Sequence, residues 1–182
     1  AIIGCRDASD YGKKVAFNFA YELAKEGFVV ISGLARGIDT YAHLGAVKAG
    51  GKTIAVLWSG LKHIYPSENK KLCNEIVKNS GAIITEYEPH TKPLPMNFPS
   101  RNRIISGLSN GVLVVEAKQK SGTLITVDYA LEQGKDVFVI PGNITSINSY
   151  GTNELIKQGA KLVTNTKEII EEIIKWKFMV CR

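Results

Sequence analysis

The stretch Phe28-Val29-Val30-Ile31-Ser32-Gly33-Leu34-Ala35-Arg36-Gly37-Ile38-Asp39 changes character twice within twelve residues. Phe28–Ile31 is a continuous apolar, β-branched run, the pattern of a strand buried on both faces. Ser32–Gly37 is small and glycine-bracketed, and from Asp39 the spacing becomes helical as far as Ala49. A buried strand that empties through a tight turn into a helix is half of a strand–helix–strand unit, and the same order recurs along the chain. Strands are predicted at 1–4, 28–31, 53–57, 82–85, 112–115, 137–140 and 161–163. Helices are predicted at 13–26, 39–49, 67–79, 102–108, 122–133, 152–158 and 167–177, the last with Ile169, Ile170, Ile173 and Ile174 on one face. Such alternation implies an α/β fold, a Rossmann-like doubly wound and mostly parallel sheet with helices on both faces. Ligands of such sheets bind at the carboxyl ends of the strands, near the reversal of strand order.

The bulk properties agree with one domain, a core over 1–165 followed by a helix and tail over 166–182. At 182 residues the chain can bury a sizeable core, and its 45% apolar share is ordinary. Lys and Arg total 23 against 17 Asp and Glu, a net charge of +6; this favours polyanionic partners without proving one. Cys5, Cys73 and Cys181 share no metal-ligand spacing, so no metal site is expected, and scattered thiols suit a reducing cytoplasm. No apolar run approaches membrane-spanning length, and no signal peptide is visible. The sequence starts at Ala1 inside an expected strand, without Met, which suggests a piece of a longer protein.

Several turns suit an anion. Phe98-Pro99-Ser100-Arg101-Asn102-Arg103 is expected to open a helix with Arg101, Asn102 and Arg103 in its first turn, where free N–H groups and the positive dipole end lie. Ser32, Gly33, Arg36 and Gly37 offer a second such turn, and Gly4 with Arg6 and Gly142 stand after the first and sixth strands. In Lys118-Gln119-Lys120-Ser121-Gly122-Thr123, Ser121 can cap a helix and Gly122 permits close approach of a phosphate. Glu116, just before it, is either a base or hydroxyl-binding group or the ion-pair partner of Arg101 or Arg103. Tyr65, Phe98 and Tyr150 are possible stacking platforms. Ion pairing with surface carboxylates is the competing use of the arginines, and packing that of the aromatics.

Other motifs fail. Gly50-Gly51-Lys52-Thr53 precedes a strand, whereas a phosphate-binding P-loop follows one, and it reads as a helix end. GxGxxG and GxSxG are absent. His43, His63 and His90 stand alone, and His43 reads as packed against the sheet or facing water rather than as a site residue.

The blocks Ile2-Ile3-Gly4-Cys5-Arg6, Ser32–Asp39 with Ala42-His43, Thr53–Leu57, Tyr65–Asn69, Phe98–Ile105, Val114–Ala117, Ser121–Thr126, Pro141-Gly142 and Gly151-Thr152-Asn153 occur in this order. Together they resemble the DNA-processing protein A family, called DprA or Smf, from Ala1 to about Val163. Cys5 stands where that family usually has Ser, and Trp58 where glycine is common; Trp176–Arg182 matches no block. The resemblance implies binding of single-stranded DNA, self-association, and loading of the RecA recombinase onto incoming strands during natural transformation. Because no complete nucleophile–base pair, metal site or P-loop is found, no catalysis and no cofactor are expected. Two other readings remain: an enzyme cleaving the glycosidic bond of nucleoside monophosphates through Gly122-Thr123, Glu116 and Arg101, and a nucleotide sensor. For self-association the expected surface is Leu155, Ile156 and Leu162, because neighbouring helical residues diverge by about 100° and one of the pair Leu155–Ile156 can face outward.

Overall fold

The structure, a computed structural model, describes residues 1–180, with side chains as far as Lys175. Seven strands alternate with seven helices: β1 (Ile2–Ile3), α1 (Asp10–Lys25), β2 (Val30–Ser32), α2 (Ile38–Lys48), β3 (Thr53–Val56), α3 (Lys70–Lys78), β4 (Ala82–Ile84), α4 (Asn97–Gly107), β5 (Gly111–Val114), α5 (Gly122–Glu132), β6 (Asp136–Val139), α6 (Tyr150–Lys157), β7 (Lys161–Leu162) and α7 (Thr166–Val180). Short 3-10 turns at Ser67–Asn69 and Ile147–Ser149 precede α3 and α6. All pairing is parallel, in two ladders ordered β1-β5-β6-β7 and β2-β3-β4. Ser32 Oγ donates to Ile2 O at 2.7 Å and ties β2 beside β1. The sequence therefore runs outward from the centre in one direction through β4 and in the other through β7, and the order reverses between β1 and β5.

Strand alternation sorts the core into two layers. Ile2, Val30, Leu113, Val115, Phe138 and Ile140 face α1, α2 and α7, while Ile3, Ile31, Val112, Val114, Val137 and Val139 face α4, α5 and α6. Both faces of each central strand are thus covered, which is why these strands read as unbroken apolar runs. A smaller cluster of Leu34, Ala55, Leu57, Leu72, Cys73 and Ile76 seats α3 on β3. Ile169 and Ile173 of α7 join the first layer, and Thr166 Oγ1 donates to Glu22 of α1. The side chains of the expected tail Trp176–Arg182, including Cys181, lie outside the described residues.

Helix ends differ from expectation where caps decide. Ser9 Oγ accepts from Gly12 N at 3.0 Å, so α1 starts at Asp10 rather than Lys13. α4 starts at Asn97, five residues before Asn102, because Pro99 falls within the first turn, where its missing N–H costs nothing. Gly50 (φ +70°) and Gly51 return N–H groups to Val47 and Ala46, closing α2 as a helix end. Among the described residues, no helix is long and apolar enough to cross a membrane.

His43 lies fully buried against the sheet. Thr53 Oγ1 donates to Val30 O at 2.6 Å, so the 2.7 Å contact with His43 is donated by the ring Nδ1–H. Nε2 then keeps a bare lone pair with no partner among the described residues. Burial, helped by the Arg101 charge, pulls His43 from 6.5 down to about 3. The unfolded chain takes a proton near pH 6.5 that the folded chain refuses, so His43 lowers stability as pH falls from there toward 3, by up to about 1.4 kcal/mol per unit. Chemical denaturation across this range should show the stability difference between wild type and His43→Asn shifting in the variant's favour as the medium is acidified. Parallel curves would contradict the assignment.

Candidate nucleic-acid interface

The strand ends on either side of the order reversal shape a cavity of about 610 Å³. The chain leaving β1 supplies Gly4, Cys5 and Arg6, β3 is continued by Trp58, and the loop before α5 adds Lys118 and Lys120. Asp7, Tyr65, Pro95, Phe98 and the Ser121-Gly122-Thr123 start of α5 complete the lining. Gly4 belongs there for steric reasons: a Cβ would sit 2.6 Å from Ile38 Cγ1 and 2.9 Å from Glu116 O. Cys5 N donates to Glu116 O at 3.0 Å, and Ile38 N donates to Cys5 O at 3.1 Å, so the chain leaving β1 is clamped between β5 and α2. Arg6 follows at once and is exposed.

Three aromatic rings form the cavity wall. Trp58 meets Tyr65 edge-on, with centroids 5.3 Å apart, and Phe98 edge-on at 5.9 Å. The Arg6 guanidinium lies 4.2 Å from the Phe98 ring centroid. No carboxylate lies within ion-pair distance of Arg6 among the described residues, whereas Lys118 pairs with Asp7 at 3.1 Å. Ser121 caps α5 as expected, accepting from Thr123 N at 3.2 Å. Gly122 is required by Phe98, whose Cε1 would stand 2.9 Å from an added Cβ.

The other residues expected at the site turn elsewhere, each for a physical reason. Arg101, 1% exposed, lies in the second turn of α4 and donates through Nη1 to Gly33 O (2.7 Å) and to Val56 O. Burial pulls this guanidinium down to about 10, against the opposing pull of Asp39. Asn102 is buried beside it, accepting from Arg101 Nε and donating to Gly122 O. Arg103, on the outer face of the helix, pairs with Glu86. The turn after β2 holds its own anion: Asp39 Oδ2 accepts from Gly33 N at 3.0 Å and Ala35 N at 3.4 Å. A carboxylate occupies the N–H groups a phosphate would need, and Ser32 and Gly33 are buried beneath it. Gly37 (φ +71°) meets the backbone of Cys5 and Arg6 too closely for any side chain. Arg36 remains at the surface, with Nε 2.6 Å from Glu68 Oε1 and Nη2 3.0 Å from Oε2.

Glu116 pairs with neither arginine. Its buried carboxylate accepts from Ser9 N (3.0 Å), Ser9 Oγ and Asn148 Nδ2 (3.3 Å), and it fastens the start of α1 to the end of β5. Gly142 exchanges hydrogen bonds with the Asn153 side chain at 3.3 and 3.1 Å and lies off the cavity. Leu155 is core rather than interface, Ile156 is half-buried against the same cluster, and Leu162 is 45% exposed. Tyr150 is exposed and accepts from Gln119. Sequence reasoning left Lys118, Lys120 and Trp58 out of the site; two lysines immediately before a cappable helix start were the available signal.

The family model for DNA recombination-mediator protein A matches residues 1–174. This chain belongs to that family. It is 46% identical over 172 residues to the DNA processing protein DprA of Bacillus subtilis, covering 94% of this chain and 58% of that one. The solved structure of DNA processing protein A from Streptococcus pneumoniae superposes with a TM-score of 0.87 at 46% identity, over 94% of this chain and 60% of that one. A structure addressing the single-stranded DNA binding mode of the Helicobacter pylori protein superposes with a TM-score of 0.85 at 36% identity, over 96% and 79%. The chain thus spans about three-fifths of the curated relatives from Bacillus and Streptococcus.

Removing the Arg101 guanidinium leaves the Gly33 and Val56 carbonyls without their donor. Arg101→Met should lower unfolding stability by about 3–5 kcal/mol in urea denaturation, and Arg101→Lys should recover only part of it, since an ammonium lacks the fork. Arg103→Met, which removes only a surface pair, should change it by less than about 1 kcal/mol.

Proposed function

We propose that this chain binds single-stranded DNA across the cavity between β1 and β5, without catalysis. Arg6, Lys118, Lys120 and the start of α5 hold phosphates, and one unstacked base lies against the wall of Trp58, Tyr65 and Phe98. The observation that carries the reading is Arg6, an exposed guanidinium with no ion-pair partner among the described residues, poised over an aromatic ring at the cavity edge. Sequence-tolerant single-strand binding needs this pairing of cations with stacking surfaces. A duplex keeps its bases stacked and has none to offer the wall. Arg36 borders the track, and its exposed pair with Glu68 is of the weak kind a phosphate can displace. Family membership and the Helicobacter relative support the same ligand.

Glycosidic cleavage is disfavoured by Glu116, which is hydrogen-bonded inward and does not line the cavity. We extend the proposal to passing the bound strand to the RecA recombinase in the cytoplasm during transformation, resting on the resemblance and on the family's description as a recombination mediator. We further propose a homodimer through the β7 edge, where Leu162 is exposed. Two grooves so joined would raise avidity for long strands.

In fluorescence anisotropy, oligo(dT) should bind more tightly than a duplex of equal length. Arg6→Ala should weaken that binding and reduce the salt slope by about 0.7, the increment set by one phosphate of a single strand. A folded Arg6→Ala variant with unchanged affinity would remove the cavity from consideration. For assembly, Leu162→Glu should give a folded monomer by light scattering; a folded dimer would put the interface elsewhere.

A further inference from the structure

Among the described residues the sheet has a second open edge, at β4, on the far side from β7. Ile84 O accepts from Leu57 N on β3 at 2.8 Å, and alternate residues of a strand direct their backbone groups to opposite sides. The N–H and C=O of Ile83 therefore point away from β3, and among the described residues neither has a hydrogen-bond partner. Directly beside this edge, between α3 and the loop after β3, lies a mainly apolar hollow of about 370 Å³ lined by Leu61, Ile64, Cys73, Val77 and Ile83 together with Lys70 and Asn74. Val77 and Leu61 are 58% and 49% exposed, so apolar surface continues out of the hollow to the solvent. α3 carries Lys70, Lys71 and Lys78 against Glu75 alone, which makes the rim basic.

We propose that this edge docks an extended peptide segment of a partner protein, added as a strand alongside β4. The peptide's main chain bonds to Ile83, its alternate apolar side chains enter the hollow, and its acidic side chains meet the α3 lysines. The charge of the rim selects an acidic peptide. The absence of any aromatic ring among the lining residues disfavours nucleic acid, because there is nothing on which a base could stack. This surface is separate from the cavity at β1 and β5 and does not depend on the DNA-binding proposal.

A display library of short random peptides, selected on the wild-type protein and counter-selected on the double variant Lys70→Glu, Val77→Asp, tests it. Both positions are on the surface of α3, and circular dichroism verifies that the variant folds. The proposal expects selected peptides that alternate apolar with Asp or Glu, bind wild type at least about tenfold more tightly than the variant, and slow hydrogen exchange at the Ile83 amide. A library with nothing enriched over the variant, or enriched peptides that leave Ile83 exchange unchanged, would overturn it. So would displacement of the peptide by oligo(dT) from the Arg6→Ala protein, which makes the face a nucleic-acid surface, or a dimer abolished by Val77→Asp, which makes it a contact between copies.

Discussion

Arg101 carries a guanidinium into the interior and bonds the carbonyls at the ends of β2 and β3, Gly33 O and Val56 O, from a helix that belongs to the next part of the chain. A buried charge of this kind is stable only with its donors satisfied, and once satisfied it admits few other arrangements. Its demands spread outward. Gly33 can carry no side chain, because a Cβ would overlap the guanidinium. Asp39, itself raised by burial, is drawn down by Arg101 and by the N–H groups of Gly33 and Ala35, and so fixes the turn into α2. Phe98 stands three residues earlier on α4, on the same side of the helix, with its ring 5.3 Å from the Arg101 guanidinium. An internal polar anchor thereby sets the position of an aromatic wall at the surface.

The remainder of the groove follows from the reversal of strand order. β1 and β5 diverge in their connections, so the chain leaving β1 can cross the end of β5 and hang Arg6 over Phe98. Glu116 serves that geometry from beneath. It bonds Ser9 and Asn148 and ties α1, β5 and the loop before α6 together under the Arg6 loop. A carboxylate so placed governs shape; the charges that meet solvent in the groove are Arg6, Lys118 and Lys120, with the Asp7 carboxylate beside them and paired to Lys118.

The fold was legible because both layers of the core are written in the strands: Ile2 and Ile3, or Val137 and Phe138, are apolar on both faces, and helices fill the intervals. All seven strands lie where the apolar runs put them, whereas capping at Ser9 and the place of Pro99 moved the starts of helices α1 and α4. The site was less legible, because residue type does not report burial. Arg101 and Arg103 look alike in sequence, yet residues two apart on a helix point about 200° from each other, and only one can face a groove. Arg101 shares its face with buried Ile105, four residues on, a periodicity that points inward. Asp39 and Gly33 are six residues apart, and nothing in their spacing reveals that the carboxylate folds back to fill the turn. Trp58 gained its meaning only when the topology brought it to Phe98.

The central claim is that a base of single-stranded DNA lies against the Trp58–Phe98 wall under Arg6. The chain has two tryptophans, so Trp176→Phe leaves Trp58 as the only indole reporter. Titrating that protein with oligo(dT) should quench Trp58 fluorescence saturably, with a midpoint matching the anisotropy of a labelled oligonucleotide. Binding by anisotropy with Trp58 emission unchanged would show that the strand runs elsewhere and would contradict the account.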